Sequence, residues 1–372
     1  MKVKKTRAGL QISGETGRLN RSAFDPRAPG DRFSSFENED WEKIAVATTG
    51  KCAVLCFIKT DYVQVNKTKK AESLDSISFP PTIPEMVEKI KKKMPNASLQ
   101  EKCIALKEAM KISQEEADLV SKFTREQSED PKWKEYRIGR ITASKAHDVI
   151  VKYNADMTVK NEISAENLCA EICGYLPEVK SKSVQWCKQT ESVARKKFSK
   201  TMKATHKNFA CTESGLVISV KSPYIAASPD GYCKCNCCPD TLFECKCPWT
   251  HRGKSIPEYV MEKECCLLTS SPTGGNSSLP GVQLKHNHRY FTQVQHQLFV
   301  CEKQEEYFYV YTTKDSFTEK ITLDPNYKEN LAKFEHFFNN YICPELFEKR
   351  ILSKVIVRSI LKDIINASTC AS

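Results

Sequence analysis

Apolar and polar positions recur at two different periods along this chain, and the change of period divides it. After a proline-marked break at Pro80, Pro81 and Pro84, apolar residues return at helical spacing. That spacing predicts helices over 84–94, 98–110 and 114–127. The third opens on Ser113 with Glu116 three residues later, the pattern that satisfies the free N–H groups of a first turn. Further helices are predicted over 142–151, over 165–174 and around Glu191. Another carries Tyr290, Gln293 and Gln297 on one face and Phe291, Val294 and Leu298 on the other. Alternating or β-branched runs predict strands over 215–220, 224–227, 242–246 and 306–311, all in one sheet. Helices over 327–341 and 350–365 close the chain. The last has a stripe of Ile351, Leu352, Val355, Ile356, Ile360, Leu361 and Ile364 opposite Lys354, Arg358 and Lys362. Such a stripe serves packing on the domain or contact with another subunit.

This order predicts a mixed α/β protein with a central sheet flanked by helices. Four segments follow: an extension over 1–83, a helical lead-in over 84–130, a core over 131–349 and a C-terminal helix over 350–372. The start of the extension is polar and expected to be disordered, with one apolar run, Cys52 to Ile58. Its Lys and Arg residues up to Arg32 suit a solvated tail, nucleic-acid contact or nuclear import. Ser270 to Gly281 is rich in Gly, Ser and Pro and predicts a mobile loop.

Composition narrows the class. The net charge of +11 over 372 residues favours a nucleic-acid partner, because each neutralised phosphate releases counterions. No apolar run reaches membrane-spanning length, and Met1 to Lys5 is followed by polar sequence, not a signal-peptide core. The expected location is inside the cell, in nucleus or cytoplasm. Eighteen cysteines are many, yet adjacent pairs and a large core argue for reduced thiols. The densest group is Cys233, Cys235, Cys237 and Cys238, with Cys247 and then Cys265 and Cys266 behind it. These thiolates suit a tetrahedral structural zinc, or they are free buried cysteines; the spacing is not that of a standard zinc finger.

The chemistry concentrates between Ser228 and Lys246. Asp230, in Ser-Pro-Asp-Gly, ends one predicted strand at a turn shaped by Pro229 and Gly231. In Leu242 to Lys246 the strand period of two puts Glu244 and Lys246 on one face and Phe243 and Cys245 on the other. Two carboxylates of this kind suit a hard divalent cation such as Mg²⁺ or Mn²⁺, with the lysine beside the water that it binds. The plain alternative is a hairpin turn and an exposed cross-strand pair. Glu191 adds weight as the one acidic residue among nine Lys or Arg between Lys180 and Lys207. A surface pair with Arg195, four residues on, is worth only about 0.2–0.5 kcal/mol.

Three further blocks agree with this group: Trp133 to Ser144, Gln185 to Arg195 and Tyr290 to Leu298. With Ser-Pro-Asp-Gly and Glu-Cys-Lys-Cys-Pro, and in this order, they resemble the YqaJ-like viral recombinase family, lambda-exonuclease-like members of the PD-(D/E)xK nuclease superfamily. The likeness runs from about Gln114 to Glu348. It implies a restriction-endonuclease-like core. It also implies that Asp230, Glu244 and Glu191 hold one or two metals, that Lys246 is the catalytic lysine, and that Gln293 and Tyr290 belong to the active site. Arg137, Ser144 and Ser228 match positions that hold the terminal 5′-phosphate of the digested strand. One departure stands out, since an acidic position of the phage member falls on Val220 here.

The implied activity is digestion of linear duplex DNA from a 5′ end in recombination or end processing. The implied partners are duplex DNA ends, a single-strand annealing protein and, in a ring-shaped trimer, further copies of the chain. An endonuclease on the same core and an inactive DNA-binding scaffold are the alternatives.

Overall fold

The structure is a computed structural model that describes residues 78–155, 159–177, 181–269 and 277–356. The apolar run at Cys52 to Ile58, the basic stretch up to Arg32, the expected loop at 270–276 and the C-terminal helix beyond Ile356 lie outside the described residues.

Three short helices lead in: α1 (Ile83–Lys93), α2 (Leu99–Ala109) and α3 (Gln114–Phe123). Each starts with a reciprocal cap, Thr82 with Glu85, Ser98 with Glu101 and Ser113 with Glu116. A side-chain oxygen accepts from a first-turn N–H, and the glutamate accepts from the cap residue's N–H in return. Helix α3 stops before its predicted end because Thr124 turns back and donates its hydroxyl to the Val120 carbonyl at 2.7 Å. The next elements are α4 (Pro131–Arg137), β1 (Ile141–Thr142), α5 (Ala143–Tyr153), α6 (Val159–Ile172) and the long α7 (Lys182–Met202). Then come β2 (Ala210–Thr212), β3 (Val217–Ile218), β4 (Ile225–Ala227), β5 (Gly231–Lys234) and β6 (Thr241–Lys246). After α8 (Ile256–Val260), β7 (Leu267–Thr269) and β8 (Val282–Leu284), the chain forms α9 (Arg289–Val300), β9 (Glu305–Tyr311) and β10 (Ser316–Thr322). It closes with α10 (Leu331–Phe337) and α11 (Cys343–Glu348). The single helix expected over 327–341 is instead a 3₁₀ segment (Pro325–Asn330), α10 and a π-helical turn (Phe338–Ile342).

The strands do not form one sheet, which corrects the expectation. A five-stranded mixed sheet runs β10-β9-β6-β5-β2, with β6 and β9 parallel and the other pairs antiparallel. A separate three-stranded sheet runs β1-β4-β3, and β7 pairs with β8. The break falls at Ser228-Pro229-Asp230, between β4 and β5. Proline has no N–H to give a ladder, so pairing lapses there and resumes at Gly231. Gly231 itself must be bare: a Cβ would come within 2.9 Å of the Cys211 sulfur.

Both faces of the five-stranded sheet are covered. Ala194 and Phe198 of α7 pack with Phe243, Cys245, Tyr307 and Tyr309 on one face. Leu242, Phe308 and Val310 pack with Val294 and Leu298 of α9 on the other. Phe198 lies 4.5 Å from Phe243 between ring centroids and touches Phe209, Tyr307 and Tyr309 as well. Truncating so buried an aromatic costs about 3–5 kcal/mol. These two helices therefore carry residues of their own to the middle of the sheet. Among the described residues, no helix is long and apolar enough to cross a membrane.

Candidate active site

Strand β6 delivers two groups to the site. Its alternation sends Phe243 and Cys245 into the aromatic layer under α7, and Glu244 and Lys246 to the side of α9. Glu244 is only 2% exposed, so its charge requires close partners. It has three. The Lys246 ammonium donates to Oε1 at 2.5 Å, the Gln293 amide to Oε1 at 2.5 Å and the Gln297 amide to Oε2 at 2.7 Å. Gln293 and Gln297 are one turn apart on α9, while Val294 and Leu298, also one turn apart, fill the core. Lys246 donates a second bond to the Gln293 oxygen at 3.2 Å and stands 4.5 Å over the Tyr290 ring.

Asp230 comes from the break between the sheets. Its Oδ2 accepts from the Cys245 backbone N–H at 2.8 Å, which ties it to β6 beside Glu244. Gln127 holds the same bend from behind by donating to the carbonyls of Ser214 and Pro229, each at 3.0 Å. Glu191 arrives on α7. Thr190, Ala194 and Phe198 form that helix's buried stripe, and Glu191, one residue round from it, is half-buried at the edge. Arg195 stands 3.9 Å from Glu191 but is committed elsewhere, to Glu213 at 2.6 Å and to the Asp230 carbonyl at 3.0 Å. Arg195 is therefore shared: it is the strongest charge acting on Glu191, yet its hydrogen bonds go to Glu213 and the Asp230 carbonyl.

Asp230, Glu191, Glu244, Lys246 and Tyr290 all line one cleft of about 450 Å³, with Cys187, Lys188 and Trp249 around them. Its electrostatics are unfavourable for three anions. Burial, then the charges of Glu244 and Glu191, push the Asp230 carboxyl well above the usual carboxylate range. Burial raises Glu191 too, against the opposing pull of Arg195. Burial works to lower Lys246, but the charges around it, that of Glu244 foremost, outweigh burial and hold the ammonium above the usual lysine range. Three carboxylates offering hard oxygen donors to one cleft, with Asp230 and Glu191 raised, fit a divalent cation such as Mg²⁺ or Mn²⁺. The residues that would hold it are Asp230, Glu191 and Glu244. Val220, the position of the family's further acid, lies outside the cleft's lining.

Glu306 escaped sequence reasoning, which treated it as part of a β-prone run. It sits on β9 in register with Leu242, fully buried, and neither carboxyl oxygen has a hydrogen-bond partner. Burial, and then the charges of Glu244 and Asp230, raise it well above the usual carboxylate range. An acidic residue inside an aromatic strand was the available signal.

Arg137, Ser144 and Ser228 form a second, connected group. Arg137 lies 4.0 Å over the Trp133 ring, and the Trp133 N–H donates to the Ser228 hydroxyl at 2.9 Å. Arg137 also donates to the Thr142 hydroxyl at 3.5 Å, which is 3.3 Å from that of Ser144. Burial pulls Arg137 down to about 10, still well charged at neutral pH. Trp133 and Thr142 are therefore linking residues that the sequence alone gave no role. Ser228 is two residues from Asp230, which sets the two groups side by side along the chain.

The expected zinc group is redrawn. Cys235, Cys237 and Cys238 converge, but on His206, not on Cys233 or Cys247. Cys233 faces into the aromatic layer and Cys247 lies 3.7 Å from Cys245 in that layer. Strand alternation decides this, because Cys233 and Cys245 point to the buried side of the sheet. Cys265 and Cys266 pack in the opposite core beside Tyr259.

Comparison with known proteins finds likenesses to one family model and to solved structures. Residues 132–304 match the model of the YqaJ-like viral recombinase domain. No curated protein sequence matches the chain. Among solved structures, an alkaline exonuclease from Laribacter hongkongensis is similar at 22% identity with a TM-score of 0.38, over 63% of this chain and 99% of its own. The shutoff and exonuclease protein of Kaposi's sarcoma-associated herpesvirus is similar at 11% identity with a TM-score of 0.45, over 71% of this chain and 83% of its own.

Proposed function

We propose that this protein, whose residues 132–304 match the model of the YqaJ-like viral recombinase domain, is a divalent-metal-dependent deoxyribonuclease that digests linear duplex DNA from a 5′-phosphorylated end. The observation that supports it most is the meeting of Asp230, Glu191, Glu244 and Lys246 in one cleft, from three separate stretches of chain.

When bound, magnesium would polarise the scissile phosphate and make a water acidic enough to attack it. The chain's own residues supply the remainder. Glu244 is fixed by Gln293 and Gln297, so its carboxylate enters the site with its orientation already set. Lys246 remains an ammonium in this charge balance; it orients the attacking water and stabilises charge on the phosphate. Tyr290 beneath it keeps that ammonium from swinging away. Arg137, with the hydroxyls of Ser144 and Ser228, grips the terminal phosphate, since a charged guanidinium and hydroxyl donors are the groups that recognise a phosphate. Trp133 fixes both Arg137 and Ser228 in place. Its product is a duplex with single-stranded 3′ tails, a substrate for strand annealing.

The test is end-labelled linear duplex, with and without a 5′-phosphate, incubated with magnesium or chelator. The reading requires mononucleotide release only with metal and faster with the phosphate. Cutting of closed circular DNA would replace it with an endonuclease, and DNA binding without any cleavage would leave a scaffold.

A further inference from the structure

At the far end of the β5–β6 hairpin from Asp230, four side chains gather whose chemistry differs from the cleft's. His206, just past the end of α7, points its Nδ1 at three sulfurs: 3.7 Å to Cys235, 3.5 Å to Cys237 and 3.5 Å to Cys238. The sulfurs are 3.5 Å apart for Cys235 and Cys237 and 3.9 Å for Cys237 and Cys238. All four ligand atoms lie within 4.8 Å of one another.

A tetrahedral zinc with Zn–S near 2.3 Å and Zn–N near 2.0–2.1 Å requires sulfurs about 3.8 Å apart and a sulfur-to-nitrogen edge of about 3.6 Å. Five of the six edges are 3.5–3.9 Å, close to that tetrahedron, and the sixth, Cys235 to Cys238, is within 4.8 Å. We propose that His206, Cys235, Cys237 and Cys238 form a structural zinc site that clips the β5–β6 hairpin to the end of helix α7. The backbone is already arranged for it. Asn236 N–H donates to the Lys207 carbonyl at 2.9 Å, and β2, which follows His206, pairs with β5. The ligand set leaves no position for a substrate, as a structural site requires, and soft thiolates select zinc over magnesium.

The location gives the clip a purpose. Helix α7 carries Glu191, and the hairpin starts at Asp230 and ends in Glu244 and Lys246. Holding the helix end against the hairpin tip fixes these two elements with respect to each other. The site stands whether or not the cleft is a nuclease.

Two measurements on the full-length protein test it. Metal analysis after purification is expected to give about one zinc per chain, falling to about zero in Cys237→Ser. For the wild-type chain, zinc added after chelation is expected to shield Cys235, Cys237 and Cys238 from alkylation, read by mass spectrometry. The exposed Cys187 serves as the control that reacts in either state. Replacing zinc with cobalt should give thiolate-to-cobalt charge-transfer and tetrahedral absorption bands. Equal alkylation of the three cysteines with and without zinc, or a wild-type protein that takes up neither zinc nor cobalt, overturns the site even if the variant does not fold.

Discussion

The two ends of one β-hairpin present opposite metal chemistry. At its base, Asp230 and Glu244 offer hard carboxylate oxygens that line one cleft with Lys246. At its tip, Cys235, Cys237 and Cys238 with His206 offer soft donors that fill a tetrahedron among themselves. On the reading proposed above, one short piece of sheet would separate turnover at its base from scaffolding at its tip. Open oxygen sites exchange ions and admit phosphate, whereas closed thiolate sites hold their ion through folding.

The cleft's half of this comparison is broken most severely by Lys246→Ala. Losing a positioned ammonium is expected to lower cleavage by about 10²–10⁴-fold while DNA binding by gel shift is retained. Cleavage within a few-fold of wild type would remove the lysine from the mechanism. Arg137→Gln comes next. It removes one charge-assisted contact of about 1.5–3 kcal/mol, so the preference for a 5′-phosphorylated end should shrink by about 10–100-fold, with unphosphorylated ends barely affected. Equal losses on both substrates would make Arg137 structural.

Gln297→Leu sharpens the comparison from within the core. It removes a donor from the buried Glu244 and leaves an oxygen unpaired, at an expected cost of about 1–3 kcal/mol by thermal or urea unfolding. An unchanged midpoint would mean that the amide does not hold the carboxylate.

The smallest effect concerns pH. Asp230 and Glu191 have folded-state pKa values above their unfolded ones, so the folded protein binds their protons more tightly. Their stabilising contribution is complete below the unfolded carboxylate range, about pH 4, and is lost as pH rises through the raised values. On the proposed function, a divalent cation would take the place of those protons. Magnesium is therefore expected to raise the melting temperature by a few degrees near pH 8 and by less near pH 5. A gain independent of pH, or larger in acid, would show that these carboxylates do not bind the ion.

The sequence made some of this legible and hid the rest, for physical reasons. The helices announced themselves through periodicity and caps such as Ser113 with Glu116. The alternation in β6 placed Glu244 and Lys246 on one side, and the spacing in α9 set Gln293 with Gln297. Strands of two or three residues such as β1, β2, β7 and β8 are too short to show a period, and β10 carries Glu319 and Lys320 among its apolar positions. The split into two sheets depends on where pairing stops at Pro229, which local pattern does not report. His206 was hidden because 29 residues separate it from Cys235, and only the pairing of β2 with β5 brings them together. Glu306 was hidden because its burial is a property of the assembled layers.

The most direct test of the central claim is manganese binding, followed by electron paramagnetic resonance on the free protein, wild type against Asp230→Asn and Glu244→Gln. The account predicts saturable binding of one or two ions by wild type and its loss or strong weakening in both variants, with the fold intact by circular dichroism. Binding of equal strength in all three proteins, or none in wild type at millimolar manganese, would contradict it.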